Sequence, residues 1–188
     1  MKTVLGFAAV LLVLALGWSS LGDREPSSAG APARSQTRDS GPLGNADGYV
    51  AVGASLSPFS SEPALAKLDP ALREALLEAA GDAGAEGVEL RVNGGWRSAR
   101  YQRALLGRAV ETYGSVEAAR QYVMPPGESS HVTGEAVDVG PADAAAWLTR
   151  SGSAYGLCQV YANEPWHFEL ATEPGGACPP LTASAAEG

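Results

Sequence analysis

The distribution of hydrophobic and polar positions divides the chain into three stretches. A largely apolar run at residues 4–18 follows Lys2, which is the pattern of a secretory signal or an uncleaved anchor. Ser, Pro, Gly, Ala and scattered charge then dominate up to about Ala46, with almost no large apolar side chain. Periodic apolar positions begin only after this point. The pattern predicts a signal peptide or membrane anchor over residues 1–22, a flexible linker over 23–46 and one folded domain over 47–188.

Capping and breaking residues predict the first helix of the domain. Asp69 is typical of a helix N-cap and Pro70 of the first helical position. Leucines follow at helical spacing until Gly81 and Gly84, where we expect the helix to end. The same signals predict three further helices, which begin at Ser98, Ser115 and Pro141 and end at Gly114, before Pro125 and at about Arg150.

Short segments of alternating or continuous apolar residues predict strands. In the first segment, Val88, Leu90 and Val92 alternate with charged residues, which is the two-residue period of a half-buried strand. Three later strands are expected at residues 136–139, 157–161 and 167–170. Because helices dominate early and strands late without regular alternation, the order favours an α+β domain over a doubly wound α/β domain.

Composition narrows the classes of function. The 188 residues are 45% hydrophobic, which suits one domain with a sizeable core. With 13 Lys and Arg against 21 Asp and Glu, the net charge of −8 argues against nucleic acid held by charge. The 2 cysteines exclude a disulfide-dense scaffold and an all-cysteine zinc site. Because there are only 2 histidines, any multi-histidine chemistry must use both.

Both histidines have carboxylates nearby in the sequence. His131 and Asp138 are seven residues apart, and Gly134 between them can turn the backbone so that they converge. Together with His167 they supply the three protein ligands of a catalytic zinc ion, which leave one position for water. Glu164, three residues before His167, is suited to act as general base. The alternative is two unrelated surface or core histidines beside ordinary strand carboxylates, and the residues alone leave both interpretations open.

Three further polar residues and one aromatic residue are candidates for the same site. Arg97 could stabilise the negative charge that develops on a carbonyl oxygen during peptide hydrolysis, or lie on the surface at a helix start. Ser129 could donate a hydrogen bond to substrate, or cap a loop. Gln102 could point into the cleft, or lie on a solvated helix face. Trp166 is expected to pack beneath the site.

The two cysteines predict one disulfide. Cys158 lies on a predicted strand and Cys178 in a Gly- and Pro-rich tail. After export, both thiols would meet an oxidising environment, which favours a bond between them. The bond would hold the tail near the strand that leads to Glu164 and His167. Two reduced, buried cysteines are the alternative.

Two motifs carry a resemblance to a known family. Residues 129–138 read Ser-x-His-x-x-Gly-x-Ala-x-Asp, and residues 164–167 read Glu-x-Trp-His. Together with residues 94–98, Gln102 and residues 113–120, 125–127 and 155–156, these motifs resemble the VanY-type zinc D-alanyl-D-alanine carboxypeptidases, which are relatives of the VanX-type dipeptidases. The resemblance implies an α+β fold with a small antiparallel sheet flanked by helices, of the Hedgehog/D,D-peptidase type. The roles that it implies are Zn²⁺ ligation for His131, Asp138 and His167, general base for Glu164, oxyanion stabilisation for Arg97, and substrate contact for Ser129 and Gln102.

The resemblance implies a function as well. It points to zinc-dependent hydrolysis of the terminal D-Ala-D-Ala bond of peptidoglycan stem peptides by a D,D-carboxypeptidase. Such an enzyme would act as a monomer outside the cytoplasm, either secreted or tethered to the membrane through residues 4–22, and would not bind nucleic acid. A D,D-dipeptidase or an L,D-endopeptidase would use the same ligands and is an alternative. More remote alternatives are a non-haem iron enzyme, because two histidines and one carboxylate also form a facial triad, and a wall-peptide-binding module without catalysis.

Some positions depart from the family pattern. An aromatic residue is expected where Glu128 stands, and an Arg-Tyr pair where Glu169 and Leu170 stand. The ligand and base positions are unaffected. Glu128 and Glu135 near the mouth of the cleft would either favour a cationic group on the substrate or be solvated loop carboxylates.

Overall fold

A computed structural model describes residues 41–187 of the chain. The predicted signal peptide or anchor over 1–22 and the predicted linker up to residue 40 lie outside the described residues. Within 41–187, no helix is both long enough and apolar enough to span a bilayer. The boundary between linker and domain at residue 47 stays a prediction.

The described part of the chain contains six α-helices, three short 3-10 helices (Asn45–Asp47, Gly152–Tyr155 and Ala185–Glu187) and four strands. The α-helices are α1 (Pro63–Ala66), α2 (Pro70–Ala85), α3 (Ala99–Tyr113), α4 (Val116–Arg120), α5 (Ser130–Thr133) and α6 (Ala142–Ser151). The strands are β1 (Arg91–Gly94), β2 (Ala136–Gly140), β3 (Leu157–Gln159) and β4 (His167–Leu170). The predicted fold class, an α+β domain with a small antiparallel sheet, is confirmed.

Side-chain caps start three of the helices, as the sequence predicts. The Asp69 carboxylate accepts hydrogen bonds from the N–H groups of Ala71 and Leu72 at 2.9 and 3.2 Å. Ser98 and Ser115 cap α3 and α4 in the same way. Each cap satisfies an N–H group that has no partner within its own helix. Local sequence therefore determines where these helices begin.

α2 ends one residue beyond the second of the two glycines at which its end is predicted. The helix passes through Gly81 and Gly84 and ends at Ala85. Ala79 and Ala83, on the same turns, are fully buried in the core. We attribute the last turn, beyond Gly81, to this burial, which outweighs the roughly 1 kcal/mol that each glycine loses in a helix.

The sheet is antiparallel throughout, with the strand order β1-β2-β4-β3. Two strands are shorter than predicted. β1 begins at Arg91, and the N–H of Val88 donates to the Ala83 carbonyl of α2 instead of to a neighbouring strand. β3 ends at Gln159 because Tyr161 pairs with Thr182 of the C-terminal tail instead of with a neighbouring strand.

Alternation along β2 and β4 gives the sheet two different faces. Val137 and Phe168 are fully buried, form a cross-strand pair and belong to the core between sheet and helices. Asp138 and His167 form the neighbouring cross-strand pair, and their side chains point to the other face. The register that fills the core therefore also places a carboxylate opposite an imidazole.

The predicted disulfide is confirmed. Cys158 of β3 is bonded to Cys178, with Cα atoms 5.7 Å apart and a sequence separation of 20. Both cysteines of the chain are used in this bond. The bond holds the tail beside the strand that leads toward Glu164 and His167.

Candidate active site

His131 lies on the short helix α5. α5 begins after Ser129 and ends at Gly134, whose φ of 87° turns the chain toward β2. The His131 carbonyl accepts a hydrogen bond from the Arg97 N–H at 3.0 Å. The ring Nδ1 lies 2.9 Å from the Gly95 carbonyl oxygen. Since a carbonyl only accepts, Nδ1 carries the proton, and in the neutral ring Nε2 keeps its lone pair.

Asp138 lies between the two imidazoles. Its Oδ1 is 3.3 Å from His131 Nε2 and 3.4 Å from His167 Nδ1. Asp138 Oδ1 and His167 Nδ1 are buried and have no hydrogen-bond partner, which is rare in folded proteins. All three residues are at most 9% exposed. Asp138 Oδ1 and His167 Nδ1 thus face each other without a hydrogen-bond partner, and Asp138 Oδ1 also faces the lone pair of His131 Nε2.

This arrangement fits a bound cation. One ligand atom from each of His131, Asp138 and His167 lies within 4.8 Å of the other two, which is close enough for all three to meet one ion. Two imidazole nitrogens and one carboxylate oxygen form a donor set that suits Zn²⁺. The residues present therefore fit zinc, and their individual assignment as its ligands stays a prediction.

Glu169 supports His167 from behind, a role that the motifs do not indicate. Glu169 Oε1 lies 2.8 Å from His167 Nε2 and accepts a hydrogen bond from Ser130 Oγ at 2.7 Å. A carboxylate in this position fixes the orientation of the ring and leaves Nδ1 to face Asp138. The available signal was the two-residue spacing, since His167 and Glu169 share one face of β4. The departure from the family pattern at this position thus has a structural explanation.

Glu164 reaches the same cluster from the turn before β4. The N–H of His167 donates to the Glu164 carbonyl at 3.0 Å, which closes the turn. Glu164 is 8% exposed, and its Oε2 lies 3.8 Å from His167 Nδ1. Burial raises the pKa of Glu164 despite the opposing charge of His167. A carboxylate with a raised pKa is a stronger base than an ordinary surface carboxylate.

Arg97 points into the pocket and not to the surface. Its guanidinium forms an ion pair with Asp138 Oδ2 and lies 3.3 Å from His131 Nε2. Gln102 is 2% exposed and uses both ends of its amide. Its Oε1 accepts from Arg97 Nη1 at 3.3 Å, and its Nε2 donates to the Met124 carbonyl at 2.9 Å. Gln102 therefore orients Arg97 and holds the backbone at Met124.

Burial and charge set the protonation of the three candidate ligands. Burial, together with the nearby Arg97, lowers the pKa of His131, so its ring stays neutral. Burial disfavours the charged form of Asp138, but its neighbours His131 and Arg97 outweigh this and hold the pKa well below the ordinary value. Burial also disfavours the charged form of His167, but Asp138 and Glu169 outweigh it and raise the pKa to about 9. A metal ion that binds at His167 Nδ1 must therefore displace a proton.

The cluster lines a pocket of about 110 Å³. Ser129 also lines this pocket and is 7% exposed, and the Tyr161 ring centre lies 4.9 Å from that of His167. The expectation that Trp166 packs beneath the site is wrong, because Trp166 is 44% exposed. Its carbonyl accepts the N–H of Val139, and its side chain lies on the wall of the pocket.

Glu128, which lines the pocket, and Glu135, which is not among the lining residues, both have partners within the protein. Glu128 forms an ion pair with Arg120, with 2.6 Å between Oε2 and Nη2. Glu135 accepts a hydrogen bond from Thr133 Oγ1 at 2.6 Å. These contacts favour the interpretation of both as loop carboxylates over recognition of a cationic group.

Solved structures of zinc D,D-peptidases share this fold. A glutamate-to-alanine variant of the vancomycin-resistance D,D-pentapeptidase VanY from a VanB-type cassette, in complex with Zn(II), aligns with a TM-score of 0.52 and 25% identity over 54% of this chain and 71% of that one. VanYB in complex with D-alanine-D-alanine aligns with a TM-score of 0.51 and 25% identity over 54% and 70%. The vancomycin-resistance D,D-dipeptidase VanXYg, in complex with a D-Ala-D-Ala phosphinate analogue, has a TM-score of 0.50 and 24% identity over 61% of this chain and 54% of that one, and indicates the fold alone.

The sequence itself shows the family. The family model of VanY, D-alanyl-D-alanine carboxypeptidase, matches residues 65–173, more than half of the chain. The chain therefore belongs to the VanY D-alanyl-D-alanine carboxypeptidase family. A search of curated proteins gives no significant match. The matched range contains all three candidate ligands and Glu164.

Proposed function

We propose that the protein is a zinc-dependent D,D-carboxypeptidase that removes the terminal D-alanine from peptidoglycan stem peptides. The observation that carries this proposal is the convergence of His131, Asp138 and His167 with Glu164 in one pocket. Membership of the VanY family supports the reaction class. The complex of VanYB with D-alanine-D-alanine supports the choice of substrate.

Glu164 moves the proton in this mechanism. His131, Asp138 and His167 would hold the zinc ion, which when bound supplies a Lewis acid at the reacting centre. Glu164 takes a proton from the attacking water and delivers it to the nitrogen of the leaving D-alanine. Its raised pKa suits both steps, because the carboxylate is a stronger base and the carboxylic acid persists closer to neutral pH.

Arg97 supplies positive charge at the scissile carbonyl. During attack, the carbonyl oxygen gains negative charge, and a fixed guanidinium that donates hydrogen bonds to it lowers the barrier. Gln102 holds Arg97 through the 3.3 Å hydrogen bond to Nη1. Ser129, which also lines the pocket, donates a hydrogen bond to the bound peptide.

The ligands and base distinguish some of the alternative functions from a carboxypeptidase but not others. A D,D-dipeptidase and an L,D-endopeptidase would use the same ligands and base and differ in the peptides that the pocket admits. Mass analysis of products from a synthetic pentapeptide separates them, since loss of a single alanine supports the carboxypeptidase. A non-haem iron enzyme does not need a general base beside its metal ligands. A binding module needs neither metal ligands nor a general base. The buried Glu164 therefore favours a hydrolase.

The enzyme works outside the cytoplasm in this proposal, secreted or tethered through residues 4–22. The apolar run at residues 4–18 supports export. The bond between Cys158 and Cys178 supports an oxidising compartment. A monomer suffices, because every residue assigned to catalysis comes from one chain.

The direct test is replacement of Glu164. Glu164→Ala removes the general base but no candidate ligand, so we expect turnover to fall by about 10²–10⁴-fold with an unchanged zinc content. Glu111→Ala, at an exposed position on α3, is the matched control and should keep full activity. Hydrolysis of an acylated D-Ala-D-Ala peptide and zinc content are measured on the same samples. Normal turnover by Glu164→Ala would refute the mechanism, and a zinc-loaded wild type without turnover would refute the function.

A further inference from the structure

The C-terminal segment, residues 178–187, borders the catalytic pocket although it lies outside the family match. The match ends at residue 173, whereas Ala185 lines the pocket together with Tyr122 and Met124. This part of the pocket wall is therefore a property of this chain that the family pattern does not describe.

Two anchors hold the segment against the chain between β3 and β4. The disulfide joins Cys178 to Cys158 of β3. Further along, the Thr182 N–H donates to the Val160 carbonyl at 3.0 Å, and the Thr182 carbonyl accepts from the Ala162 N–H at 2.9 Å. A covalent bond and two backbone hydrogen bonds thus fix the segment before it reaches the pocket.

A third anchor ties the segment to the end of the pocket where Gln102 lies. Ser184 is 3% exposed, and its hydroxyl donates to Gln121 Oε1 at 2.9 Å. Three residues after Gln121, Met124 lines the pocket, and Gln102 holds its carbonyl. Because Ala185 directly follows Ser184, its position depends on the same contact.

We propose that the C-terminal segment is the wall at which a bound peptide must end, so that the pocket admits free chain termini and rejects peptides that continue beyond the leaving residue. This inference rests on the proposed function, and it assigns the end of the pocket lined by Gln102, Met124 and Ala185 to the leaving residue. Each further residue of an extended chain needs about 3.3–3.6 Å of space. The segment cannot give that space without losing its contacts with Gln121 or with the chain that leads to Glu164. The wall thereby sets a carboxypeptidase apart from an endopeptidase with the same ligands.

A chain that ends at Ala183 tests the wall. It keeps the disulfide and the Thr182 pairing but lacks Ser184 and Ala185. Two acylated peptides are compared: one ends in D-Ala-D-Ala, and the other continues with one glycine after the same bond. We expect the ratio of kcat/KM for the extended peptide over the terminal peptide to rise by about tenfold or more. Leu181→Ala, at a half-exposed position of the same segment, is the matched control and should leave the ratio unchanged.

A point substitution tests the same proposal in a chain of full length, in case the shortened chain does not fold. Ser184→Ala removes only the hydrogen bond to Gln121, so the ratio should rise in the same direction but by less. An unchanged ratio in both the shortened chain and Ser184→Ala would overturn the proposal.

Binding separates this inference from the proposed function. In a zinc-loaded Glu164→Ala background, calorimetry gives the Kd of both peptides without turnover. We expect the extended peptide to bind about tenfold more weakly than the terminal peptide to the full chain, and equally well to the shortened chain. If this pattern is found while the wild type fails to hydrolyse the terminal peptide, the proposal for the C-terminal segment is supported and the proposed carboxypeptidase function is refuted. Equal binding of both peptides to the full chain, or binding of neither to either chain, would overturn the wall.

Discussion

Replacing Gly94 by alanine would disturb the candidate site without removing any of its polar groups. Gly94 is buried at the end of β1, opposite Asp138 of β2. A Cβ atom at this position would lie 2.6 Å from Asp138 Oδ2 and 3.0 Å from Arg97 Nη2. The backbone of Gly94 is not in the left-handed region, so the strain would come from these contacts alone.

The geometry sets the size of the effect. An ordinary contact of a Cβ atom begins at 3.4 Å, so the Asp138 carboxylate would have to move from 2.6 Å to at least that distance. Metal sites tolerate deviations in ligand position of only about 0.2 Å. We expect the free energy of unfolding of the metal-free protein to fall by about 1–3 kcal/mol. Zinc affinity should fall by about 10–100-fold, as it does when the support of a metal ligand is lost.

Competition with a chromophoric chelator measures the zinc affinity, and urea titration measures the free energy of unfolding. Gly107→Ala is the matched control, because a Cβ atom added to Gly107 in α3 would meet nothing within 4 Å. This control should stabilise the protein by about 0.5–1 kcal/mol and leave zinc affinity unchanged. If Gly94→Ala binds zinc as tightly as the wild type, Gly94 does not make room for the cluster and the reasoning is refuted.

Three other predictions concern the support of the site and the stability of the domain. Glu169→Gln removes the charge behind the β4 imidazole, so zinc affinity should fall by about 10–100-fold in the same competition assay; an unchanged affinity would show that Glu169 has no part in the site. The hydrogen bond from Arg100 lowers the pKa of Asp47 to about 2 although burial opposes the shift, so the ionised carboxylate stabilises the fold above about pH 4 and loses this effect as the pH falls through 2. Asp47→Asn should therefore lower the free energy of unfolding by about 1 kcal/mol at pH 7, after allowance for solvent screening, and by much less at pH 2; equal differences at both pH values would contradict the assignment. Serine at both Cys158 and Cys178 should lower the free energy of unfolding by about 2–4 kcal/mol in urea titrations, and wild-type stability in this variant would show that the bond does not constrain the chain.

Helix starts could be predicted from the sequence because their causes are local. The side chains of Asp69, Ser98 and Ser115 satisfy N–H groups within one turn, so no knowledge of the tertiary structure is needed. The end of α2 is different. Gly81 and Gly84 argue locally against a helix, and the burial that carries the helix past them exists only in the assembled core.

In the candidate site, too, some features follow from local sequence and others depend on the tertiary structure. His131, Asp138 and His167 stand in motifs with fixed spacing, and these motifs predicted a group whose ligand atoms the structure brings within 4.8 Å of one another. The support from Glu169 depends on which residues of β4 share a face, and thus on a strand assignment that motifs do not contain. The contact of Ala185 with the pocket depends on the path of the tail after the disulfide, which no local pattern predicts.

Because side chains alternate between the two faces of β4, zinc binding depends on the register of β4 against β2. A shift of β4 by one residue against β2 would bring Phe168 opposite Asp138 and turn His167 toward the interior. Only correctly aligned molecules would then keep zinc, and free zinc above its Kd would enrich them by the factor 1 + [Zn²⁺]/Kd. A misaligned copy would lack the pair of Asp138 and His167 and would therefore be inactive.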